Sequence, residues 1–326
     1  MSNEKKLFKK HKVHKLVDMI VYKRPEGSET QQQFCKRFLE PVFGKPDRHG
    51  NYIKLIGQKP NVCFTAHHDT VHKTGGMQKV SIRNDIMTLH ETSNSECLGA
   101  DCTSGIYLIL EMIKAKVPGV YVVHAAEEIG CVGSSALVKY QPQWLGDIDA
   151  VISFDRKDQE SIITHQMGMR TCSDAFAISL DKILGLNMRP DNTGSYTDSN
   201  EYAGLISECT NLSVGYLLQH TAKESQDLFF LDQLRDALIS AEWDKLVFSR
   251  NPHDVEYLSY HSPYKSSGWD YVEGDYNTKT DTLYDMVVDN PTLIAQWLES
   301  MGVSPEELAM ELDIPLYEKS DKGWAW

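Results

Sequence analysis

Short apolar runs alternate with helical patterns along the first 250 residues of the chain. Val62–Ala66, Val120–His124 and Ala150–Phe154 have the length and composition of strands that are buried on both faces of a parallel sheet. Apolar positions at helical spacing follow Asp101 and recur over Asp174–Leu186. Strands that alternate with helices through short connections predict an α/β fold, with a doubly wound, mostly parallel central sheet flanked by helices.

Weaker patterns predict the remaining elements. They comprise helices over His14–Lys23, Glu29–Phe43 and Ser134–Tyr140, strands over Tyr52–Ile56, Val80–Arg83, Ile86–His90 and Leu212–Gly215, and a long helix over Gln226–Phe248. The pattern changes after Asn251, so we expect residues 1–250 to form the main domain and residues 251–326 a C-terminal extension packed on it. Within the extension, helices are predicted over Pro291–Met301 and Pro305–Leu312.

Charge and composition exclude several classes of protein. A net charge of −13 argues against a nucleic-acid partner, because affinity for phosphates comes from clustered lysines and arginines. Seven cysteines without a CxxC pair predict free thiols in a reducing compartment rather than disulfides or a zinc–thiolate site. No run approaches the about 20 apolar residues of a membrane span, and the lysine-rich start lacks a signal-peptide core. We therefore expect a cytoplasmic protein without a membrane partner.

Acidic and imidazole side chains stand at the ends of these predicted elements. They are His67 and Asp69, Asp101, Glu127 and Glu128, Asp155, and His220. An α/β protein builds its active site from loops at the carboxyl ends of parallel strands, so these side chains are expected to meet at one edge. Two imidazoles and three carboxylates suit zinc or a similar divalent ion, and a further carboxylate beside them could move protons. The set indicates a hydrolase.

The stretch His67-His68-Asp69 follows a predicted strand. The two-residue period of a strand places His67 and Asp69 on one face and His68 on the other. Asp69 can then accept the second N–H of a ligating His67 imidazole. His68 and His72 are weaker candidates for ligands, and alternation disfavours His68.

Taken alone, each of the other motifs has a structural alternative. Asp101 could be the N-cap of the helix that follows it. Glu127 and Glu128 could be an ordinary surface pair, although metal binding by one carboxylate would relieve their repulsion and leave the other as a general base. Asp155 and His220 could each be structural. The joint occurrence of all five motifs carries the argument for a metal site.

The five motifs occur in one order, with spacings of 34, 27, 27 and 65 residues from His67 through Asp101, Glu128 and Asp155 to His220. This order resembles the co-catalytic di-zinc exopeptidases, which include peptidase T, the glutamate carboxypeptidases and the single-domain bacterial leucyl aminopeptidases. The resemblance covers roughly residues 50–225. It implies a three-layer sandwich and two divalent metal ions, zinc in the first place and cobalt or manganese as alternatives.

The resemblance also implies a role for each residue. His67 and Asp155 would bind one metal ion, Glu128 and His220 the other, and Asp101 would bridge the two. Glu127 would be the general base, and Asp69 would be the hydrogen-bond partner of His67. The expected activity is hydrolysis of peptide bonds by a metal-bridging water.

The chain departs from these relatives in two places. Many relatives have a second acid after the bridging Asp and often a cis peptide bond at that step, where this chain has Cys102. The resemblance implies that Cys102 keeps that geometry but removes one outer carboxylate; a nucleophilic cysteine is the rival interpretation. Only 64 residues separate Asp155 from His220, so no inserted lid domain is expected. Thr197-Asp198 is similar to a Ser/Thr-Asp motif of lidless relatives, with a structural or a catalytic role.

The substrate class is less sharply determined. Lidless relatives are mostly aminopeptidases, and abundant acids favour binding of a free amine. Arg156 and Lys157 leave a carboxypeptidase or an N-acyl amino-acid deacylase as the alternative, because a carboxylate needs a cationic clamp. The partner expected is thus a peptide or an N-acyl amino acid, and a homo-oligomer is left open.

The sequence disfavours two further functions. Residues 293–312 have the spacing of a helix-turn-helix but carry no Lys or Arg between Met286 and Asp313, so DNA binding is disfavoured and a protein-interaction module is the better alternative for this segment. A catalytically inactive scaffold is disfavoured because the set of ligand candidates is complete and Glu127 is present.

Overall fold

The computed structural model of the protein describes residues 14–257 and three further helical positions, Ile294, Leu298 and Leu308. The strands are β1 Tyr22–Lys23, β2 Tyr52–Ile56, β3 Val62–His67, β4 Gly76–Met77, β5 Val80–Arg83, β6 Ile86–Leu89, β7 Gly119–His124, β8 Ala150–Arg156, β9 Ser161–Ile163, β10 His165–Gln166, β11 Met169–Arg170, β12 Arg189–Asp191, β13 Glu208–Ser213, β14 Tyr216–Leu217 and β15 Ser225–Asp227. The helices are α1 His14–Ile20, α2 Glu29–Phe34, α3 Glu40–Phe43, α4 Ala100–Lys114, α5 Val132–Tyr140, α6 Asp174–Leu184, α7 Asp198–Glu201 and α8 Leu228–Ser240, with a π-helical stretch at Cys35–Leu39 and 3₁₀ turns at Gln143–Asp147 and Trp243–Lys245.

A seven-stranded sheet, in the order β12-β9-β13-β8-β3-β7-β2, organises the main unit. Its central neighbours β13, β8, β3 and β7 pair in parallel, as do β12 and β9 at one edge. Only β2 with β7 and β13 with β9 pair antiparallel. The prediction of a doubly wound, mostly parallel sheet is confirmed.

Alternate residues of the central strands enter two separate apolar clusters. In β3, Phe64 packs in one cluster and Cys63 in the other, and in β7 Tyr121 and Val122 are divided in the same way. The larger cluster contains residues of α1, α4, α6 and α8, while the smaller contains residues of α5 and the turn after α7. Because strand side chains alternate between faces, the sheet lies between two helical layers.

The segment between Asp155 and His220 adds no separate domain. It contributes β9 to β14 and the helices α6 and α7, and it belongs to the same unit as the rest of Met1–Tyr260. A second, four-stranded sheet of order β14-β15-β6-β5 flanks the loop that contains His220.

Strand β13 differs from the prediction. It runs over Glu208–Ser213 rather than Leu212–Gly215, and all six of its residues are buried. Its polar side chains are hydrogen-bonded: Glu208 accepts from the Ser173 N–H at 2.7 Å, and Thr210 donates to the Ile163 carbonyl at 2.7 Å. Because hydrogen bonds satisfy its buried polar side chains, this strand has no apolar pattern in the sequence. The predicted bounds of the strand were therefore wrong.

Two predicted helices are shorter than expected. The long helix starts at Leu228 because Asp227 caps it, accepting from the Phe230 N–H at 2.9 Å, and it ends at Ser240. The first helix ends at Ile20 because Tyr22–Lys23 pairs with β4. Apart from three helical positions, the predicted C-terminal helices lie outside the described residues, and the domain boundary at residue 250 stays a prediction.

Candidate metal centre

The predicted site residues lie together at the carboxyl edge of the central sheet. His67 ends β3, Asp101 lies in the first turn of α4, and Asp155 lies near the end of β8. Glu127 and Glu128 occupy the turn after β7, and His220 lies in the loop between β14 and β15. Parallel strands bring these distant segments to one edge, as the sequence order predicted.

Asp101 lies between the two imidazoles. Its Oδ1 is 3.1 Å from His67 Nε2, and its Oδ2 is 3.2 Å from His220 Nε2. His67 Nε2 is also 3.4 Å from Asp155 Oδ1, and His220 Nε2 is 3.3 Å from Glu128 Oε2. The side chains thus form two groups of donors that share a single carboxylate.

Asp69 connects His67 to the Glu127–Glu128 turn. Its Oδ1 lies 3.4 Å from His67 Nδ1 and accepts the Glu127 N–H at 3.1 Å, while Oδ2 accepts the Glu128 N–H at 3.0 Å. Burial alone would raise the pKa of Asp69, but the hydrogen bond and the charge of His67 lower it below its ordinary value. One carboxylate therefore fixes both an imidazole and the backbone of two acids.

The turn after β7 places Glu127 over the site. Ala126 and Gly130 have φ angles of +56° and +109°, and the Gly130 and Cys131 N–H groups both donate to the Glu127 carbonyl at 2.9 Å. The Glu127 carboxylate approaches His67 Nε2 to 3.9 Å. Burial, with the neighbouring charges of Asp155, raises the pKa of Glu127 well above its ordinary value, which suits a group that takes up protons.

Burial and mutual repulsion disfavour the ionised forms of the clustered acids. Burial and repulsion from Asp101 raise the pKa of Glu128 to about 7 and that of Asp155 to about 6. Glu128 Oε1 is buried without a hydrogen-bond partner among the described residues. Asp101, Glu128 and His220 place ligand atoms within 4.8 Å of one another. Because these are nitrogen and oxygen donors, the arrangement fits divalent cations of the zinc type.

Asp155 is held by polar neighbours. Thr197 donates to Asp155 Oδ2 at 2.8 Å, and the Tyr216 hydroxyl donates to Oδ1 at 3.3 Å. The adjacent Asp198 is buried and accepts from the Ser134 hydroxyl at 2.6 Å. In the Thr197-Asp198 motif, the threonine therefore contacts a predicted ligand, and the aspartate contacts a serine of α5.

Three side chains named as weaker candidates have other partners. The His68 imidazole contacts Gln31 at 3.0 Å and the Gly50 carbonyl at 3.2 Å. His72 contacts Thr70 at 2.8 Å, and burial lowers its pKa to about 4. The Asp101–Cys102 peptide bond is cis, and the Cys102 thiol donates to a backbone carbonyl at 3.1 Å. Burial raises the pKa of this thiol well above its ordinary value, which opposes a nucleophilic role.

Glu224, four residues after His220, is a further buried acid of the site that no sequence motif predicted. Its buried carboxylate accepts four successive backbone N–H groups at the start of α4, those of Leu98, Gly99, Ala100 and Asp101, at 2.8 to 3.2 Å. The N-cap Gly99 has no side chain, so a carboxylate from a distant loop satisfies these donors. Glu224 thereby joins the loop of His220 to the turn of Asp101. A single acid in a polar loop gives no sequence signal for this.

Glu224→Gln is expected to loosen this connection. An amide nitrogen cannot accept the N–H donors, so at least one stays buried without a partner and stability falls by about 1–3 kcal/mol. Zinc binding should also weaken because Asp101 and His220 lose their common support. Denaturant unfolding and zinc titration would measure the two effects, with Lys223→Gln as a control in the same loop. Equal stability and zinc affinity in both variants would contradict this role.

A family model described as peptidase family M28 matches residues 51–290. The chain belongs to peptidase family M28. Membership of M28 identifies a metal-dependent exopeptidase and thus a metallo-hydrolase. The comparison with curated protein sequences gives no match.

Solved structures show the fold of this M28 chain in other proteins. Aminopeptidase PepT from Bacillus cereus ATCC 10987 is 14% identical with a TM-score of 0.58, and the match covers 70% of this chain and 96% of that one. The TET1 peptidase of Pyrococcus horikoshii is 14% identical with a TM-score of 0.53, over 71% and 99% of the two chains. The predicted exopeptidase fold is confirmed. Among the described residues, no helix has the length and apolar character to cross a membrane.

Proposed function

We propose that this M28 chain is an aminopeptidase that uses two metal ions. His67 and Asp155 would hold one ion, Glu128 and His220 the other, and Asp101 would be shared. The observation that carries the proposal is the position of Asp101, whose two carboxylate oxygens face different imidazoles at 3.1 and 3.2 Å. Zinc is the ion that this donor set favours, with cobalt or manganese as alternatives.

Each of the site residues would then have a separate role in catalysis. Two bound divalent ions would make a water molecule more acidic and polarise the scissile carbonyl. Glu127 takes the proton of the attacking water and passes it to the leaving amine. Asp69 keeps His67 and the Glu127–Glu128 backbone in register, because its Oδ1 faces His67 Nδ1 and accepts the Glu127 N–H while its Oδ2 accepts the Glu128 N–H.

The charges around the site support an aminopeptidase. The buried acids offer sites for a substrate ammonium group, whereas Arg156, one of the two cations that left a carboxypeptidase open, is paired with an acid. Arg156 contacts Asp191 at 3.3 Å, and Arg170 contacts Asp174 at 3.0 Å. An arginine that bound a substrate carboxylate would first have to break such an ion pair. Carboxypeptidase and deacylase activities remain the alternatives.

Substrates with matched termini test this choice. We expect a dipeptide with a free amino terminus to be hydrolysed, and its N-acetyl form to lose about 30- to 150-fold in kcat/KM, the equivalent of one charge-assisted contact of ~2–3 kcal/mol. Amidation of the carboxyl terminus should have a smaller effect. Faster hydrolysis of the N-acetyl form would support a deacylase, and dependence on the free carboxylate a carboxypeptidase.

The proposal extends to the cellular compartment and to self-association. All seven cysteines are free and buried, which supports a reducing compartment such as the cytoplasm. The TET1 peptidase of Pyrococcus horikoshii can assemble into a tetrahedron or a large octahedral shell. We propose that this chain also self-associates, which light scattering would test.

A further inference from the structure

Arg24 is a fully buried arginine in the segment between β1 and α2. It precedes residues 51–290, the part of the chain that the M28 family model matches. Among the largest side chains with no exposed surface, it is the one that carries a charge in the described part of the chain. A buried guanidinium is costly unless other groups compensate it, so its position calls for an explanation.

The Arg24 guanidinium connects the two turns that hold the proposed ligands. Its Nε donates to the His68 carbonyl at 2.9 Å, and Nη2 donates to the Thr103 hydroxyl at 2.7 Å. His68 lies between His67 and Asp69, and Thr103 is two residues after Asp101. The planar fork of an arginine reaches both acceptors at once.

The backbone of Arg24 strengthens the same connection. Its N–H donates to the Thr70 hydroxyl at 3.0 Å, and its carbonyl accepts the Thr70 N–H at 2.9 Å. Gln31 of α2 contacts the His68 imidazole at 3.0 Å, so the N-terminal segment reaches this turn at three points. Thr70 comes directly after Asp69, which contacts His67 and the general-base turn.

The positive charge of Arg24 is not neutralised by a direct ion pair. Its acceptors are the carbonyls of His68 and Tyr22 and the hydroxyl of Thr103, and no described carboxylate forms a salt bridge with it. Its guanidinium carbon lies 4.2 Å from the centre of the Phe34 ring. Burial lowers the pKa of Arg24 to about 10, and the charge of Asp69 in the acid cluster opposes this lowering.

We propose that Arg24 is a positioning residue of the metal centre, which holds the His67–Asp69 turn and the Asp101–Thr103 turn in the relative position that metal binding requires. The inference rests on the proposed function only in that these turns bind metal. The described residues before position 51 then support the metal centre, although the family model does not match them.

Zinc titration of metal-free protein tests the proposal, with Arg24→Gln, Arg24→Lys and the control Arg37→Gln. Arg37 is exposed on the same segment and contacts the Tyr22 hydroxyl. We expect Arg24→Gln to weaken zinc binding about 10- to 100-fold, the range for an outer partner of a metal ligand. Arg24→Lys should recover part of that loss because it keeps the charge without the fork. Arg37→Gln should bind as the wild type does.

Circular dichroism and kinetics separate positioning from a general role in folding. We expect folded Arg24 variants, a lower kcat and a nearly unchanged KM. Wild-type zinc affinity in folded Arg24→Gln and Arg24→Lys would overturn the proposal. Loss of folded structure in both variants would also overturn it, because Arg24 would then support the fold itself. A wild-type chain that binds zinc but cleaves no peptide would refute the aminopeptidase assignment and leave this inference standing.

Discussion

Glu127→Gln is expected to abolish hydrolysis and leave the metal content unchanged. The amide has nearly the size of the carboxylate but cannot take a proton from water, and a general base contributes about 10²- to 10⁴-fold to the rate. Glu127 approaches His67 at 3.9 Å, whereas Glu128 contacts His220 at 3.3 Å, so the two neighbouring acids are expected to behave differently. Steady-state kinetics and elemental analysis of the same preparation would measure both quantities.

Two comparison variants make this result specific. Glu91→Gln changes an exposed acid and should retain full activity. Glu128→Gln should lose metal as well as activity, because Glu128 belongs to the group that contains Asp101 and His220. If Glu127→Gln turned over substrate at the wild-type rate, Glu127 would have no part in the mechanism.

Asp101→Ala is expected to lower metal binding at both positions. Each Asp101 oxygen faces one imidazole, so its removal takes a donor from each of the two groups. The loss of zinc affinity should exceed the about 10- to 100-fold loss that is typical when a hydrogen-bond partner of a metal ligand is removed. Removal of the Asp101 carboxylate should also weaken the repulsion that, together with burial, raises the pKa of Glu128 and Asp155. Titration of metal-free protein with zinc would give the number of sites and their affinities.

Asp155→Ala and His220→Ala are the matched controls for this experiment. Asp155 lies in the group of His67, and His220 lies in the group of Glu128. Each control should weaken one site and leave the other close to the wild-type affinity. An Asp101→Ala variant with two undiminished sites would show that this carboxylate is not shared.

The sequence predicted the parts of the fold that follow from apolar patterns. Strands β3, β7 and β8 are buried on both faces, and their continuous apolar runs made them recognisable. The order of the acid and imidazole motifs, with the resemblance to a known family, predicted which side chains meet at the sheet edge. Topology explains why this works, since the carboxyl ends of parallel strands share one edge.

Buried polar residues account for what could not be predicted. Strand β13 is satisfied by hydrogen bonds to distant segments, so its first residues look like a loop. Glu224 accepts the Ala100 N–H, 124 positions away in the chain. Arg24 donates to the His68 carbonyl, 44 positions away, and to the Thr103 hydroxyl, 79 positions away. Neither residue has a local pattern, and each stands in a polar stretch. Only the three-dimensional arrangement reveals that both hold the turns around Asp101.

Anomalous diffraction from crystals of the zinc-loaded protein tests most directly whether two cations share Asp101. We expect two zinc peaks per chain, one between His67 and Asp155 and one between Glu128 and His220, with an oxygen of Asp101 on each. A single peak, or peaks remote from these side chains, would contradict this expectation.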